Sequence, residues 1–200
     1  MRIKIRDLNQ YGQGVGATED GLVVFVEGAL PGELVDAGSL EPKKNYSVAT
    51  SPDIIEFAPQ RVDPSCPYYP KCGGCQLQHL SYEGQLTWKQ QNIKEQLDRI
   101  GNLEISELIS PIIAADLVWH YRNKAILPVG GTYESTQIGF FHQLSHEIVD
   151  GTHCLIQHPA EVLIRAFIRS FIRSEGIQPY NNEEHKGLLR NYVVRTSEAT

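Results

Sequence analysis

Three of the four cysteines in this 200-residue chain lie close together, at Cys66, Cys72 and Cys75, and the fourth, Cys154, is remote in sequence. A cubane iron–sulfur cluster requires four thiolates, and two cysteines separated by two residues can supply two of them from a single turn. The two glycines between Cys72 and Cys75 would let the backbone approach the inorganic sulfides closely. The spacing therefore favours a cluster held by all four thiolates, with sulfur atoms ~6–7 Å apart.

Two other interpretations of the cysteines stay open. The same four thiolates could bind a zinc ion tetrahedrally, although structural zinc sites usually combine two pairs of similar local spacing. Alternatively, three cysteines are unligated in a loop and Cys154 is an ordinary buried residue. His79 and His153 lie near the cysteines in sequence. Because four thiols are already present, we interpret both histidines as packing or neighbouring residues rather than ligands.

Five basic residues are candidates for contacts with RNA phosphates. Arg2, Lys4 and Arg6 alternate with isoleucines, which places them on one face of a strand. Arg122 and Lys124 are the basic residues of an otherwise acidic stretch. Phosphate contacts position a protein on RNA without reading its sequence. The alternative in both cases is a solvated strand face, with charges that protect an edge strand from aggregation.

A third basic row, Arg165, Arg169 and Arg173, recurs every four residues along a predicted helix. Such spacing places the three side chains on one stripe of the helix. Such a stripe could contact phosphates, but we interpret it as the solvent side, with Glu161 available to pair with Arg165.

Composition restricts the class of protein. The chain is 41% hydrophobic and 21% charged, with a formal net charge of -6, which suits a globular protein and excludes a disordered tail or a coiled coil. The negative charge argues against a simple basic nucleic-acid clamp. The longest apolar run, Leu22–Val26, is too short to span a membrane, and the N-terminus lacks the apolar core of an export signal. We expect a cytoplasmic protein with reduced thiols and no membrane partner.

The elements that must position these residues are short strands followed by two helices. Residues 1–50 predict a small β-barrel of short strands, with Tyr11–Gly16 as a flexible glycine-rich turn. A helix is predicted over Tyr82–Ile100, capped by Ser81, and a second one from Pro159 to near Gly176. On the second helix one face carries Val162, Leu163, Ala166, Phe167, Ser170 and Phe171. Further strands are predicted at Trp119–Val129, Gln137–His142, Leu144–Val149 and Leu188–Arg195.

The glycine pattern of the first 50 residues resembles a known domain. Gly12-Gln-Gly-Val-Gly16, Val24-Phe-Val26 and Gly28-Ala-Leu-Pro-Gly-Glu33 resemble the opening of a TRAM domain, a small RNA-binding barrel of the OB type. The resemblance implies that Arg2, Lys4 and Arg6 lie on an RNA-binding barrel.

The cysteine segment resembles a second family feature. Pro64-Ser-Cys-Pro-Tyr-Tyr-Pro-Lys-Cys-Gly-Gly-Cys-Gln-Leu-Gln-His79 looks like the iron–sulfur segment of RumA/TrmA-type RNA uracil-5 methyltransferases, in the subgroup that carries a cluster and acts on 23S ribosomal RNA. Tyr121-Arg-Asn-Lys-Ala125, Ile138-Gly-Phe-Phe141, Cys154 and Gly187-Leu-Leu-Arg190 follow in the family's order. The usual radical S-adenosylmethionine triple, with three residues in the first gap, does not match this spacing.

The resemblance implies a multidomain α+β fold without the family's catalytic part. The expected segments are a TRAM-like barrel (1–52), a cysteine-rich segment (53–80), a helical segment that packs on a methyltransferase domain (81–115), and a truncated central α/β domain (116–200). The Rossmann-like domain that binds S-adenosylmethionine and carries the catalytic cysteine is not recognised in the chain, so no catalytic or S-adenosylmethionine-binding residue is predicted. The expected partner is RNA, ribosomal by family, and the competing hypothesis is a stand-alone RNA-binding module without catalysis.

Overall fold

The computed structural model describes residues 1–103 and 105–197 and divides into two compact units. The N-terminal unit consists of Met1–Pro64 and Gln76–Ile113. The second unit consists of Ser65–Cys75 and the chain from Ala114 onward. The segment predicted as cysteine-rich therefore contributes to both units, because its central loop belongs to the second one.

The N-terminal unit is built from two sheets. Its strands are β1 (Arg2–Lys4), β2 (Asp7–Leu8), β3 (Gly14–Ala17), β4 (Val23–Val26), β5 (Leu34–Asp36), β6 (Glu41–Pro42), β7 (Ser47–Ala49) and β8 (Asp53–Glu56). One sheet has the order β1-β5-β8, and the other has the order β2-β3-β4-β7-β6. Neighbouring strands are antiparallel except β4 and β7, which are parallel.

The two sheets enclose one apolar core. The chain passes from one sheet to the other at Ile5 and Arg6, whose backbone N–H groups donate to Glu33 and Val15 carbonyls, each at 2.9 Å. The buried core residues come from both sheets and the turns between them: Ile3, Ile5, Val24, Val26, Ala29, Val35, Ala37 and Ala49. The two sheets therefore share one core, and the Ile5–Arg6 segment is hydrogen-bonded to both of them. Both features are typical of the small barrel that the sequence predicts.

The sequence predicts that the whole glycine-rich segment is a flexible turn, but only its first part turns the chain. Gly12 turns the chain with a φ of 79°, but Gly14 and Gly16 lie inside strand β3. A Cβ on Gly16 would lie 2.3 Å from the Ile3 side chain. Gly16 is therefore required because β3 packs closely against β1, and a Cβ on Gly14 would lie 2.9 Å from the Ala29 carbonyl oxygen.

Helix α1 (Tyr82–Arg99) begins and ends where the sequence predicts. The Ser81 hydroxyl accepts a hydrogen bond from the backbone N–H of Gly84 at 3.1 Å, which caps the helix. Trp88 packs with a small buried cluster of the same unit, and its indole N–H donates to Asp7 at 3.2 Å. A short 3-10 helix follows at Ser106–Leu108.

The far half of α1 presents apolar side chains to solvent. Ile93 is 51% exposed and Ile100 is 82% exposed. Both residues belong to the 81–115 segment that we expect to pack on a methyltransferase domain, and that packing stays a prediction. No helix among the described residues is long and apolar enough to cross a membrane.

A buried ion pair lies in the N-terminal unit. The Glu33 carboxylate is fully buried and accepts hydrogen bonds from Arg61 Nε at 2.6 Å and from the backbone N–H of Leu30 and Ala58. Burial alone would raise the pKa of Glu33, but these hydrogen bonds hold it below its usual value. Burial lowers the pKa of nearby His79 to about 4, and the Arg61 charge adds to that lowering.

The free energy of unfolding of the metal-free chain should fall at acid pH, because His79 is buried in its neutral form. Because the folded-state pKa lies below the unfolded value of 6.5, the contribution of His79 is complete above pH 6.5 and is lost as pH falls towards about 4. The loss should reach about 3 kcal/mol over that window. Denaturant unfolding at several pH values should show a weaker pH dependence for His79→Gln than for the unmodified chain. Equal dependence in both, or the same change in the exposed control His185→Gln, would contradict this assignment.

The second unit is a four-stranded sheet with one helix. Its elements are β9 (Lys124–Gly131), β10 (Thr136–Phe141), β11 (Ile148–Asp150), α2 (Ala160–Ser174) and β12 (Asn191–Arg195). The order is β11-β10-β9-β12, and all neighbours are antiparallel. The apolar core contains Ala125, Leu127, Val129, Ile138, Ile172, Tyr192 and Val194. Helix α2 contributes Ile164 and Ile168 to this core.

The interpretation of the arginine stripe as the solvent side of α2 is wrong for Arg165 and Arg169, although the predicted pairing of Glu161 with Arg165 is confirmed. Arg165 is 3% exposed and binds the buried carboxylate of Glu161 through Nε at 2.8 Å and a terminal nitrogen at 2.7 Å. Arg169 forms an ion pair with Asp150 at 2.7 Å. Arg165 and Arg169 face their own unit, where Glu161 and Asp150 neutralise their charges, whereas Arg173 is exposed. The apolar face that contains Leu163 and Phe167 is instead turned to solvent.

Candidate metal centre and nucleic-acid interface

All four cysteines belong to the second unit. Cys66, Cys72 and Cys75 lie in the cysteine loop (Ser65–Cys75), and Cys154 ends the short Cys154 arm (Gly151–Cys154) that follows β11. All four cysteines lie among the described residues. Each is half-buried, and none forms a disulfide. The same unit therefore contains all four thiols, although Cys75 and Cys154 are 79 positions apart in sequence.

The cysteine loop is held against the end of β10. The backbone N–H of Gly73 donates to the Phe141 carbonyl at 2.9 Å, and Cys72 forms an isolated antiparallel bridge with His142. A Cβ on Gly73 would lie 3.0 Å from the Phe141 oxygen. Glycine is needed here because the loop approaches the strand backbone so closely.

The cysteine loop also contacts the Cys154 arm. The Tyr68 hydroxyl accepts a hydrogen bond from the Thr152 backbone N–H at 3.0 Å and lies 3.1 Å from the Thr152 hydroxyl. Its ring packs edge-on against His153, with ring centroids 5.8 Å apart. Tyr68 lies two positions after Cys66, and its partners Thr152 and His153 directly precede Cys154.

The thiols lie close enough to influence one another electrostatically. Burial raises the pKa of the Cys72 thiol, and Cys75 and Cys66 raise it further. Burial likewise raises the pKa of Cys154, with additional contributions from Cys75 and Cys72. Each of these thiols would lose its proton more readily on binding a metal cation, since the ligand is the thiolate.

By residue type, the four thiols are the donors that a four-thiolate group requires. Four half-buried thiols in two docked segments offer soft sulfur ligands, which suit iron–sulfur clusters and zinc. Gly74 leaves space beside Cys72, because a Cβ there would lie 3.5 Å from its sulfur. No group of three or more His, Cys, Asp or Glu residues in the described ranges is arranged to hold a metal ion. His153 contacts Tyr68, and His79 is buried in the N-terminal unit.

The predicted RNA-contact residues lie in both units. In the N-terminal unit Arg2, Lys4 and Arg6 are exposed while the intervening isoleucines are buried, and Lys4 pairs with Glu56 at 3.3 Å. In the second unit Lys124 is exposed at the start of β9.

The environments of the two second-unit candidates differ. Arg122 is half-buried, with its guanidinium 5.6 Å from the centre of the Phe140 ring. Lys124 pairs in register with Arg195 of β12, so two basic residues stand side by side at one end of the sheet. Arg195 is a basic neighbour that the sequence analysis missed, although its position at the end of the last predicted strand was a usable signal.

Comparison with known proteins identifies the N-terminal barrel. Residues 1–49 match the TRAM domain family. Over its full length the chain is 38% identical to a protein of Halalkalibacterium halodurans named as an uncharacterized RNA methyltransferase, and it covers 43% of that protein. A Clostridium acetobutylicum protein with the same description is 40% identical over 194 residues, which are 96% of this chain and 42% of that protein. The chain carries a TRAM domain and is homologous to RNA methyltransferases.

A solved structure extends the comparison beyond the TRAM domain. The crystal structure of Pyrococcus abyssi tRNA (uracil-54, C5)-methyltransferase in complex with S-adenosyl-L-homocysteine aligns with a TM-score of 0.72 and 28% identity. The alignment covers 100% of this chain and 44% of that one. The chain thus spans less than half the length of the relatives that it matches, and both its TRAM domain and its second unit lie within the aligned region.

Tyr68 is the site residue that sequence reasoning did not find. It stands in a proline-punctuated loop between Cys66 and Cys72, where it was noted only as part of the family motif. A large side chain with a polar tip usually finds a hydrogen-bond partner when it is partly buried. That property was the available signal, but the partner is 84 positions away in sequence.

Proposed function

We propose that this chain is the RNA-recognition and iron–sulfur portion of an S-adenosylmethionine-dependent RNA uracil-5 methyltransferase. The full-length alignment with the tRNA (uracil-54, C5)-methyltransferase, at a TM-score of 0.72, carries this proposal. The TRAM domain and the relatives named RNA methyltransferases support RNA as the substrate class. The cysteine motif favours ribosomal RNA, and the structural neighbour makes transfer RNA the alternative to test.

The four cysteines are the proposed ligands of a 4Fe-4S cluster. The cluster would supply a covalent connection between the cysteine loop and the Cys154 arm through metal–thiolate bonds. Methyl transfer to uracil requires neither electron transfer nor radical chemistry, so the proposed role is structural. A zinc ion on the same four thiolates is the alternative that iron, sulfide and zinc analysis distinguishes.

The chain's own residues bind and orient RNA in this proposal. Exposed basic side chains on the TRAM domain and near the start of β9 would contact phosphates, which fixes the position of the RNA without reading its sequence. Methylation at uracil C5 proceeds through attack of a thiolate on C6, and the target base must leave its stack to be reached. All four cysteines are proposed ligands, so the nucleophile and the S-adenosylmethionine site would come from the part of the relatives that this chain does not cover.

The 200-residue chain alone should transfer no methyl group to RNA. Incubation with radiolabelled S-adenosylmethionine and ribosomal or transfer RNA, followed by nucleoside analysis, measures 5-methyluridine directly. RNA binding without methyl transfer is the expected result. Methylated uridine from the purified chain would overturn the proposal that the catalytic residues lie outside this chain. Absence of RNA binding would overturn the RNA-recognition role.

Replacement of Arg122 and Lys124 by alanine should weaken RNA binding about fivefold or more for each phosphate interaction that the substitution removes. Binding should also fall with salt, because counterion release supplies the affinity for phosphates. Titrations of labelled RNA at two salt concentrations test both statements. The matched control Arg173→Ala/Lys186→Ala removes two exposed charges from the same unit and should bind as the unmodified chain does. Unchanged affinity in the Arg122/Lys124 variant would assign RNA binding to the surface of Arg2, Lys4 and Arg6.

A further inference from the structure

The cysteine loop and the Cys154 arm have to meet before four thiolates can bind one group. The loop contains no strand and no helix, and its ligands are spread over ten positions, from Cys66 to Cys75. A loop of this kind loses conformational entropy when it is fixed. Interactions that fix it in the absence of the cluster would reduce the cost of ligand assembly.

One side chain of the loop contacts Thr152 and His153 of the arm and leaves little space beside Gly151. The ring of Tyr68 would lie 3.5 Å from a Cβ on Gly151, its hydroxyl binds the backbone and side chain of Thr152, and its ring packs against His153. The backbone of Tyr68 is fixed as well, because its carbonyl accepts the Cys72 N–H at 2.9 Å. Tyr68 therefore connects the backbone that carries Cys72 with the backbone that leads to Cys154.

Both partners of this contact are anchored elsewhere in the second unit. Arg165 donates a hydrogen bond to the Gly151 carbonyl, which ties the arm to α2. The loop is tied to the end of β10 through Gly73 and Phe141. Tyr68 thus joins two segments that the sheet and helix already hold in place.

We propose that Tyr68 is a positioning residue that holds the Cys154 arm against the cysteine loop, so that the four thiols are brought together before a cluster binds. This inference rests on the proposed cluster site for its purpose, but the contact itself belongs to the protein. Its hydroxyl supplies the directional part of the contact, and its ring supplies the packing against His153.

The test removes the hydroxyl and keeps the ring. In the metal-free 200-residue chain, Tyr68→Phe should speed amide hydrogen exchange in Gly151–Cys154 about fivefold, the effect of losing one hydrogen bond. Tyr133→Phe is the matched control, because it makes the same change at an exposed tyrosine of the same unit. Thermal unfolding of both variants should coincide. Equal exchange in the Tyr68 variant and the control would overturn the proposal.

A second measurement connects the contact to the cluster. After anaerobic reconstitution with ferrous iron and sulfide, Tyr68→Phe should lose its cluster to a chelator about fivefold faster than Tyr133→Phe. Equal rates would overturn the positioning role even if exchange differs. If the unmodified chain takes up no iron and sulfide, the proposed cluster fails, whereas the exchange measurement still decides whether Tyr68 holds the arm.

Discussion

Replacing Cys154 by serine should leave the chain unable to retain a four-iron cluster. Cys154 is the one proposed ligand outside the cysteine loop, and a cubane held by only three thiolates has an open iron corner. The serine hydroxyl is a poor substitute because it remains protonated where the thiol is converted to a thiolate. We expect iron and sulfide to fall from about four of each per chain to a small fraction of that amount.

Anaerobic purification with iron, sulfide and zinc analysis measures this result. Ser170→Ala, which alters the exposed side of α2, serves as the control and should retain the full cluster. Full iron and sulfide in Cys154→Ser would exclude Cys154 as a ligand. One zinc per chain without sulfide in the unmodified protein would replace the cluster with the zinc alternative and leave the four-thiolate site intact.

Replacing Arg165 by methionine should destabilise the second unit by about 3–5 kcal/mol, the usual cost of removing one partner of a buried ion pair. The Glu161 carboxylate is 1% exposed and is bound by Arg165 and by the Tyr192 hydroxyl at 2.5 Å. In the absence of Arg165, the Glu161 carboxylate would stay buried and charged. Of its two side-chain donors, only the Tyr192 hydroxyl would remain. Burial raises the pKa of Tyr192, and Glu161 raises it further, so the hydroxyl remains a proton donor.

Denaturant unfolding of single and double variants tests the pair. Glu161→Leu/Arg165→Met should recover most of the stability that Arg165→Met removes, because an apolar pair of similar volume carries no desolvated charge. Arg173→Met, an exposed position on the same helix, should change stability little. A similar small loss for Arg165→Met and Arg173→Met would show that the buried pair contributes no more than a surface arginine.

The parts of the fold that depend on local signals are predictable from the sequence. Helix α1 begins at the Ser81 cap and ends at Arg99, and α2 begins directly after Pro159. In each case the residues that set the boundary lie within one turn of it. The barrel strands likewise follow from alternation and glycine turns over a few residues.

The features that depend on distant partners were missed for a physical reason. The i to i+4 spacing predicts the pair of Arg165 with Glu161, but their burial depends on distant partners. Arg165 also donates to the Gly151 carbonyl, and Glu161 accepts from the Tyr192 hydroxyl, 31 positions later. Gly14 and Gly16 likewise lie in a strand rather than a turn, because Ala29 leaves little room for a Cβ on Gly14 and Ile3 leaves none on Gly16. The candidate site shows the same division, since the cysteines are visible in the sequence and the contact of Tyr68 with Thr152 is not.

The polypeptide crosses between the two units three times, after Pro64, after Cys75 and after Ile113. During synthesis the TRAM domain can fold as soon as its strands have left the ribosome, because its core comes from the first part of the chain. The cysteine loop emerges early as well, but the β10 end and the Cys154 arm that hold it are made much later. Three thiols must therefore remain reduced and without their fourth partner while about 79 further residues are translated. Insertion of the proposed cluster would therefore belong to a late stage of biogenesis, after both the cysteine loop and the Cys154 arm have been made.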